Sequence, residues 1–600
     1  MKRSAVVAAG LLAAVSVVAP SLVAPSLVVP PAAAAAPPKG GPGKRPVAEG
    51  RGGAVATVDL DASKAALEVL RKGGNAVDAA VTAAAVLGVT EPYSTGLAGG
   101  GFLLYYDARR GKVHTIDGRE TAPRRMTATS FLENGEPIPF DEAVTSGLSV
   151  GVPGTVATWD LALRRFGTIS LRRALEPAIK IAEKGFVVDQ TFHDQTAQNA
   201  ERFAAFTSTA KLFLPGGRPP KVGSVFRNPD LARTYRELGK HGPRWLYEGR
   251  LGEEIVATVK RPPVAPGATR RVRPGLMERS DLRAYRAIER PPTRVSYRGM
   301  DVYGMAPPSS GGSTVGEALN ILEAVGEVGL HEFLEASRLA FADRNAYVGD
   351  PGHVRVPLQE LLSDEFAKER ACLIGERAMA HPASAGEPDG DYGPCPGAPS
   401  PAPKGVPEQT EGPETTNLVV ADRWGNVVAY TSTIEQTGGS GIVVPGRGFL
   451  LNNELTDFTF GPAEGDPNLP GPGKRPRSSM APTIVLSGGR PVLAVGSPGG
   501  ATIITTVLQI LVGRFDLGMS LPDALAAPRA SQRNTAETQA EQAFVDAHGP
   551  ALTARGHTFT LAPDGEIGAA TAVEFLGHGR VRAVAEPARR GGGSALVERP

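Results

Sequence analysis

Cysteine is almost missing: the 600 residues hold two, Cys372 and Cys395. One possible bridge builds no disulfide framework, and no Cys-x-x-Cys is present. The nine histidines form no H-x-x-x-H and no Cys/His cluster, so no metal site is expected. Charge of one sign is missing too, with Lys+Arg at 64 against Asp+Glu at 62. A net charge of +2 on so long a chain leaves no electrostatic footprint for nucleic acid. The Gly-rich run Gly96–Gly101 lacks G-x-G-x-x-G and Walker spacing, which argues against a phosphate cradle. What remains is 41% hydrophobic and 21% charged, enough to bury a sizeable core. The length allows about four domains, or one large enzyme fold that absorbs most of the chain.

The N-terminus carries a compartment signal. Lys2 and Arg3 precede an uncharged stretch from Ser4 to Pro38 that ends in the small-residue run Ala32–Ala36. A basic n-region, an apolar h-region and an Ala-x-Ala site read as a secretory signal peptide over residues 1–36. The other reading is an uncleaved membrane anchor. Pro20, Pro25, Pro30 and Pro31 oppose it, because each removes a backbone donor from a spanning helix. No cysteine near the cleavage site is available for lipid attachment. The expected product is secreted, with no stable membrane span. Outside the cytosol Cys372 and Cys395 form a disulfide or stay as two buried thiols; both readings stand.

Along the mature chain, Pro37–Gly53 reads as a loose arm. Ala62–Arg71 and Ala76–Val86 have helical spacing broken by Gly73-Gly74, and Phe102–Tyr106 reads as a short strand. Ile169–Lys184 and Ala336–Tyr347 read as helices and Arg294–Tyr297 as a strand. Residues 380–413 are rich in Pro, Gly and Ala, the composition of an exposed, mobile linker.

Immediately after that linker, Thr415–Ala421 and Val427–Thr433 are strand-like. A three-residue loop, Arg423-Trp424-Gly425, puts Gly425 at the left-handed position of a hairpin. Asp422 then faces Asn426, and Thr415 falls opposite Thr433 with Cβ atoms about 4.5–5.5 Å apart. A threonine needs a base to become a nucleophile. If the Glu414–Thr415 bond is cut, the new α-amino group, with a pKa of about 7.7–8.0, can be that base. Thr415 Oγ attacking the Glu414 carbonyl would make the cut itself. A Thr-Thr pair opening a strand for its β-propensity is the plainer alternative.

Several further runs carry a resemblance. Glu414-Thr415-Thr416, Ala421–Val428, Leu451–Phe458, Lys474-Arg475-Pro476 with Ser478-Ser479-Met480, and Gly496–Gly500 resemble the small-subunit motifs of γ-glutamyltranspeptidases. Asp117–Pro123, Pro307–Gly312 and Gly349-Asp350-Pro351 match large-subunit landmarks, in the family's order. The resemblance implies an α+β N-terminal-nucleophile hydrolase fold, a four-layer αββα sandwich. It implies one precursor processed into a large subunit, residues 37–414, and a small catalytic subunit, residues 415–600, which form a heterodimer. The implied activity is a γ-glutamyltransferase and glutathione hydrolase that needs no cofactor and acts on glutathione and related amides.

The resemblance also implies residue roles. Thr415 matches the nucleophile and Thr433 its hydrogen-bond partner. Gly499 and Gly500 match an oxyanion hole at a strand-to-helix junction; a tight turn that needs Gly for its dihedrals is the alternative. Arg119 matches the clamp for the substrate α-carboxylate, assisted by Ser478 and Ser479. Glu435, Glu454 and Asp457 match receptors for its ammonium group, although Glu454 and Asp457 alone also suit a solvated acidic face or a glycosidase-like pair.

The sequence departs from the family pattern at Asn417 (usually His), at Thr437-Gly438 (usually bulkier) and at Arg477 (usually Leu). The connection between Phe458 and Lys474 is short, which implies a site without the lid found in some members. Other specificities on the same scaffold are a cephalosporin acylase or a poly-γ-glutamate-processing enzyme; a non-catalytic binding homologue is the remote alternative. Gly147-Leu148-Ser149-Val150-Gly151 also satisfies the nucleophile elbow of α/β-hydrolases. It follows a weak strand, Asp141–Ser146, and Pro153-Gly154 interrupts the helix that an elbow needs.

Overall fold

The computed structural model describes residues 43–379, 382–393, 414–461, 463 and 465–599. Its spine is a thirteen-stranded sheet. In chain order the strands are β1 (Val47–Thr57), β2 (Gly100–Asp107), β3 (Lys112–Asp117), β4 (Ile288–Arg290), β5 (Thr293–Tyr297), β6 (Met300–Gly304) and β7 (Thr416–Ala421). They continue as β8 (Val427–Thr433), β9 (Thr483–Ser487), β10 (Arg490–Gly496), β11 (Thr571–Gly577), β12 (Arg580–Ala585) and β13 (Ser594–Arg599). The spatial order is β4-β3-β2-β8-β7-β1-β12-β11-β10-β9-β6-β5, with β13 also on β1.

β1 changes partners along its length. Val47–Arg51 pairs with β12, whereas Ala54–Ala56 lies between β7 and β13. The register shifts between Arg51 and Ala54, the mark of a bulge that turns the strand. The sheet therefore folds over: β7 packs on β11 and β8 on β10, although neither pair is joined by a backbone ladder.

Period-two alternation sorts the side chains. Leu418 and Val420 of β7, with Val428 and Tyr430 of β8, join a core with helices α1 (Leu60–Arg71) and α2 (Ala76–Thr90). Val419, Ala421, Val427 and Ala429 point the other way. They enter a second core with α3 (Gly311–Val325), α4 (Leu330–Tyr347) and α5 (Thr502–Phe515). Every residue of α2 is buried, as its unbroken Ala/Val run requires, and Asn75 and Asp78 close its N-terminus as a capping box. Truncating one of these core side chains, Leu418→Ala for example, would cost about 2–5 kcal/mol.

Three expectations need correction. Most of the described part of the presumed loose arm is structured, because Val47–Gly53 lies in β1; pairing with β12 overrides a weak local β-propensity. Part of the presumed mobile linker is also held. Ala383 N donates to Asn534 Oδ1 at 2.7 Å, Arg370 donates to Ser384 O and the Tyr347 hydroxyl donates to Gly386 O. Phe140–Val144, which overlaps the presumed weak strand Asp141–Ser146, is a short helix. The signal-peptide residues, and 394–413 of the linker, lie outside the described residues. Cys372 is disulfide-bonded, while Cys395 lies outside the described residues. No described helix is long and apolar enough to cross a membrane.

Candidate active site

The hairpin sets the geometry. Asp422 N donates to Asn426 O at 3.0 Å, and Gly425 takes φ 86°, the left-handed turn position. Pairing runs without a slip from Ala421↔Val427 to Thr416↔Ser432, so Thr415 falls opposite Thr433. Their hydroxyl oxygens are 3.4 Å apart. Both hydroxyls converge on the carbonyl of the uncut Glu414–Thr415 bond. Thr415 Oγ1 donates to Glu414 O at 2.7 Å and Thr433 Oγ1 donates to it at 2.8 Å. Thr433 Oγ1 in turn accepts from Glu435 N at 2.8 Å, which fixes the direction of its own proton.

Around this bond a single cleft gathers Arg119, Glu414, Thr415, Thr433, Glu435, Glu454, Asp457, Ser478, Ser479 and Gly500. The free volume of this cleft is about 20 Å³. Gly499 lines the adjoining groove, of about 790 Å³, and Glu414 lies at the seam between the two.

Arg119 follows β3 and is held from every side. Asp117 Oδ1 accepts from Arg119 N at 2.9 Å and from Arg475 Nη1 at 2.6 Å. The Arg119 carbonyl accepts from Tyr285 Oη and from Arg475. Its guanidinium donates to Pro476 O, Arg477 O and the carboxylates of Glu454 and Asp457. Glu454 and Asp457 form one 3-10 turn, which aims both acids at the same cation. The second Glu454 oxygen is buried without a partner. Beside Arg119, burial pushes the Glu120 carboxyl up to about 8, so it holds a proton at neutral pH.

The separated motifs meet here for physical reasons. Asp350 accepts from Arg475 N, tying Gly349-Asp350-Pro351 to Lys474-Arg475-Pro476. Ser310 donates from both N and Oγ to Ser478 O, and Ser478 N returns a bond to Pro308 O. Arg344 donates to Ser479 Oγ at 2.7 Å, which leaves the Ser479 proton free to point elsewhere. Glu435 sits at φ 81°, with its carboxylate accepting from Asn453, Thr456 and Gln436. Arg202 clamps the next turn by donating to Thr437 O and Gly439 O; burial brings its guanidinium down to about 10. Gly499 and Gly500 lie between β10 and α5, and Gly500 takes φ 54°, a conformation that favours glycine.

The departures resolve differently. Asn417 is fully buried, and its amide lies 2.7 Å from the hydroxyls of both Thr431 and Thr571; it joins strands and does not line the cleft. Arg477 turns away too, donating to the Arg344 and Val348 carbonyls at the end of α4, where a cation is favoured. The Phe458–Lys474 connection folds on itself, with Lys474 Nζ on Pro467 O and Leu469 O. None of its described residues after Phe458 lines the cleft. Ser149 is no elbow nucleophile: its hydroxyl is buried and donates to Val144 O and Ser146 O.

Sequence reasoning missed Arg590, Ser94 and Gln195, which all reach the Glu414 carboxylate. No local motif marks them, because the Arg590 contact spans 176 residues.

Comparison with known proteins agrees with this geometry. Residues 62–596 match the family described as gamma-glutamyltranspeptidase. The glutathione hydrolase proenzyme of Bacillus subtilis (strain 168) is 38% identical over 566 residues, covering 92% of this chain and 93% of its own. That of Escherichia coli (strain K12) is 38% identical over 494 residues, covering 80% of each chain. The crystal structure of cephalosporin acylase from Bacillus halodurans superimposes with a TM-score of 0.80 at 29% identity, over 92% of this chain and 97% of that one. With its motifs converging on one threonine-centred cleft, the chain belongs to the γ-glutamyltranspeptidase family.

Proposed function

We propose that this chain is a secreted γ-glutamyltransferase and glutathione hydrolase that activates itself by cutting the Glu414–Thr415 bond. The observation that carries the reading is the convergence of the Thr415 and Thr433 hydroxyls on the Glu414 carbonyl, inside a cleft lined by both signs of charge. The glutathione hydrolase relatives supply the substrate class.

Self-cleavage begins as Thr415 Oγ adds to the Glu414 carbonyl carbon, while Thr433 donates to the carbonyl oxygen. The C–N bond breaks, the nitrogen takes up the hydroxyl proton, and an ester joins Glu414 to Thr415. Water hydrolyses that ester, leaving a carboxylate on Glu414 and a free amine and hydroxyl on Thr415. In turnover that amine accepts the hydroxyl proton as Oγ attacks a γ-glutamyl amide. Gly499 and Gly500 N–H groups stabilise the oxyanion at the start of α5. Arg119, Ser478 and Ser479 hold the substrate α-carboxylate; Glu435, Glu454 and Asp457 hold its ammonium. The amine product leaves, and water or an amino-acid acceptor resolves the ester.

The same reading assigns residues 1–36 to a signal peptide and the folded-over sheet with its flanking helices to a four-layer αββα sandwich. Residues 37–414 and 415–600 then remain together as a heterodimer. A cephalosporin acylase is the second reading, supported by the similarity to the Bacillus halodurans enzyme.

N-terminal sequencing of the mature protein tests the reading, with a Thr-Thr-Asn-Leu start expected beside one near Pro37. Thr415→Ala should leave a single uncut chain and lower turnover by at least about 10²-fold. A cut, fully active Thr415→Ala protein would refute the reading. A panel of glutathione, γ-glutamyl anilides and cephalosporins separates the two specificities.

A further inference from the structure

Arg590 is built into a place that the nucleophile, the oxyanion donors and the substrate clamps leave unexplained. Its guanidinium spans the bond to be cut. Nη2 donates to the Glu414 carboxylate on one side, and Nη1 donates to Thr415 O at 2.8 Å on the other. Ser94 closes the ring, accepting from Arg590 Nη2 at 2.8 Å and donating to Glu414 Oε2 at 3.2 Å. Gln195 Nε2 reaches the same carboxylate oxygen at 3.3 Å.

The arginine itself is presented with care. Its backbone lies in the left-handed region at φ 54°, with N–H donating to Glu566 Oε2 at 2.8 Å. The preceding Arg589 is anchored by Glu541 and Glu586, so the backbone that carries Arg590 starts from a fixed point. A non-glycine residue in that conformation costs free energy and persists where the surroundings impose it.

We infer that Arg590 is a positioning residue for self-cleavage, acting through the Glu414 carboxylate to hold the scissile carbonyl between the Thr415 and Thr433 hydroxyls. A planar fork suits the task, because it fixes direction as well as distance. Thr433 holds the carbonyl oxygen and Arg590 holds both flanking residues, which leaves the peptide little freedom to swing away. Self-cleavage therefore favours an acidic residue immediately before Thr415. The inference rests on the proposed self-cleavage and adds the residue that aligns it.

The test follows the conversion of purified precursor into two bands on a denaturing gel. Arg590→Gln and Glu414→Gln should each slow conversion about tenfold or more, within the roughly 10²-fold that small misplacements cost. Arg590→Lys should fall between wild type and Arg590→Gln. The double variant Arg590→Gln/Glu414→Gln should be no slower than the slower single one, because both remove the Arg590–Glu414 contact. The charge reversal Arg590→Glu/Glu414→Arg should recover part of the rate, which a merely structural arginine would not allow. Wild-type conversion in Glu414→Gln, or effects that multiply in the double variant, would overturn the inference. Glu414→Gln leaves Arg590 in place, so the test survives even if an Arg590 variant fails to fold. Thr415→Ala keeps the two readings apart: if it blocks the cut while the Arg590 series has no effect, only this inference fails.

Discussion

Two arginines flank the scissile bond, and they differ in what they hold. Arg119 is sealed in, with its charge on Glu454 and Asp457, residues of the same segment that stay where they are. Arg590 is partly open to solvent, and its charge is on Glu414, a side chain belonging to the bond to be broken. Both are ion pairs on a cleft wall, but in the proposed scheme one serves a lasting pocket and the other a single event. A buried charge pair is costly to break and weak evidence for stability, so its retention asks for a function. In the proposed scheme the two functions divide between binding and maturation.

The largest expected effect falls on the residue common to both sides. Thr433→Val removes the donor to the Glu414 carbonyl and should slow self-cleavage and turnover together, by about 10²–10³-fold each. A variant that slows only one of them would show that Thr433 does not serve both. Next comes Arg119→Lys, which loses the fork while keeping the charge. Its kcat/KM on a γ-glutamyl donor should fall by about 10²-fold with the subunits still appearing. A loss of cleavage as large as the loss of kcat/KM would erase the contrast between the two arginines.

A smaller effect measures how dry the Arg119 side is. With Glu120 raised to about 8 from its ordinary 4.5, the folded chain keeps a proton through that window which the unfolded chain has lost. Folding takes the proton up, so this group's contribution to stability falls as pH rises from 4.5 to 8. The slope is at most about 1.4 kcal/mol per pH unit. Glu120→Gln should flatten the dependence of melting temperature on pH over that range; an unchanged slope would mean that Glu120 is ionised throughout. The smallest effect lies at the far end of the catalytic hairpin, where Trp424 is 54% exposed. Trp424→Ala should leave kcat/KM unchanged and stability within about 0.5 kcal/mol.

The hairpin register was legible because turn chemistry and alternation agree: Gly425 fixes the loop, and a one-residue slip would turn Leu418 and Val420 out of their core. Arg119, Glu454 and Ser478 were legible because their neighbours in sequence form recognisable runs. Arg590 was not, since its place beside the cleft comes from a left-handed backbone and a contact across 176 residues. β1 was misread for a related reason. Val47–Gly53 has little apolar alternation, and its strand exists only because β12 and β13 offer partners. Asn417 shows the converse: it departs from the family pattern two residues after Thr415, yet its amide works between strands and does not line the cleft.

β1 precedes Thr415 in the chain and pairs with β7, β12 and β13, all of which follow it. Severing the backbone ahead of Thr415 would thus produce two polypeptides woven through one another, neither able to depart without tearing out the middle of a shared sheet. In the proposed maturation the new amino terminus would be born already bolted down, and the scission would change chemistry while leaving architecture alone.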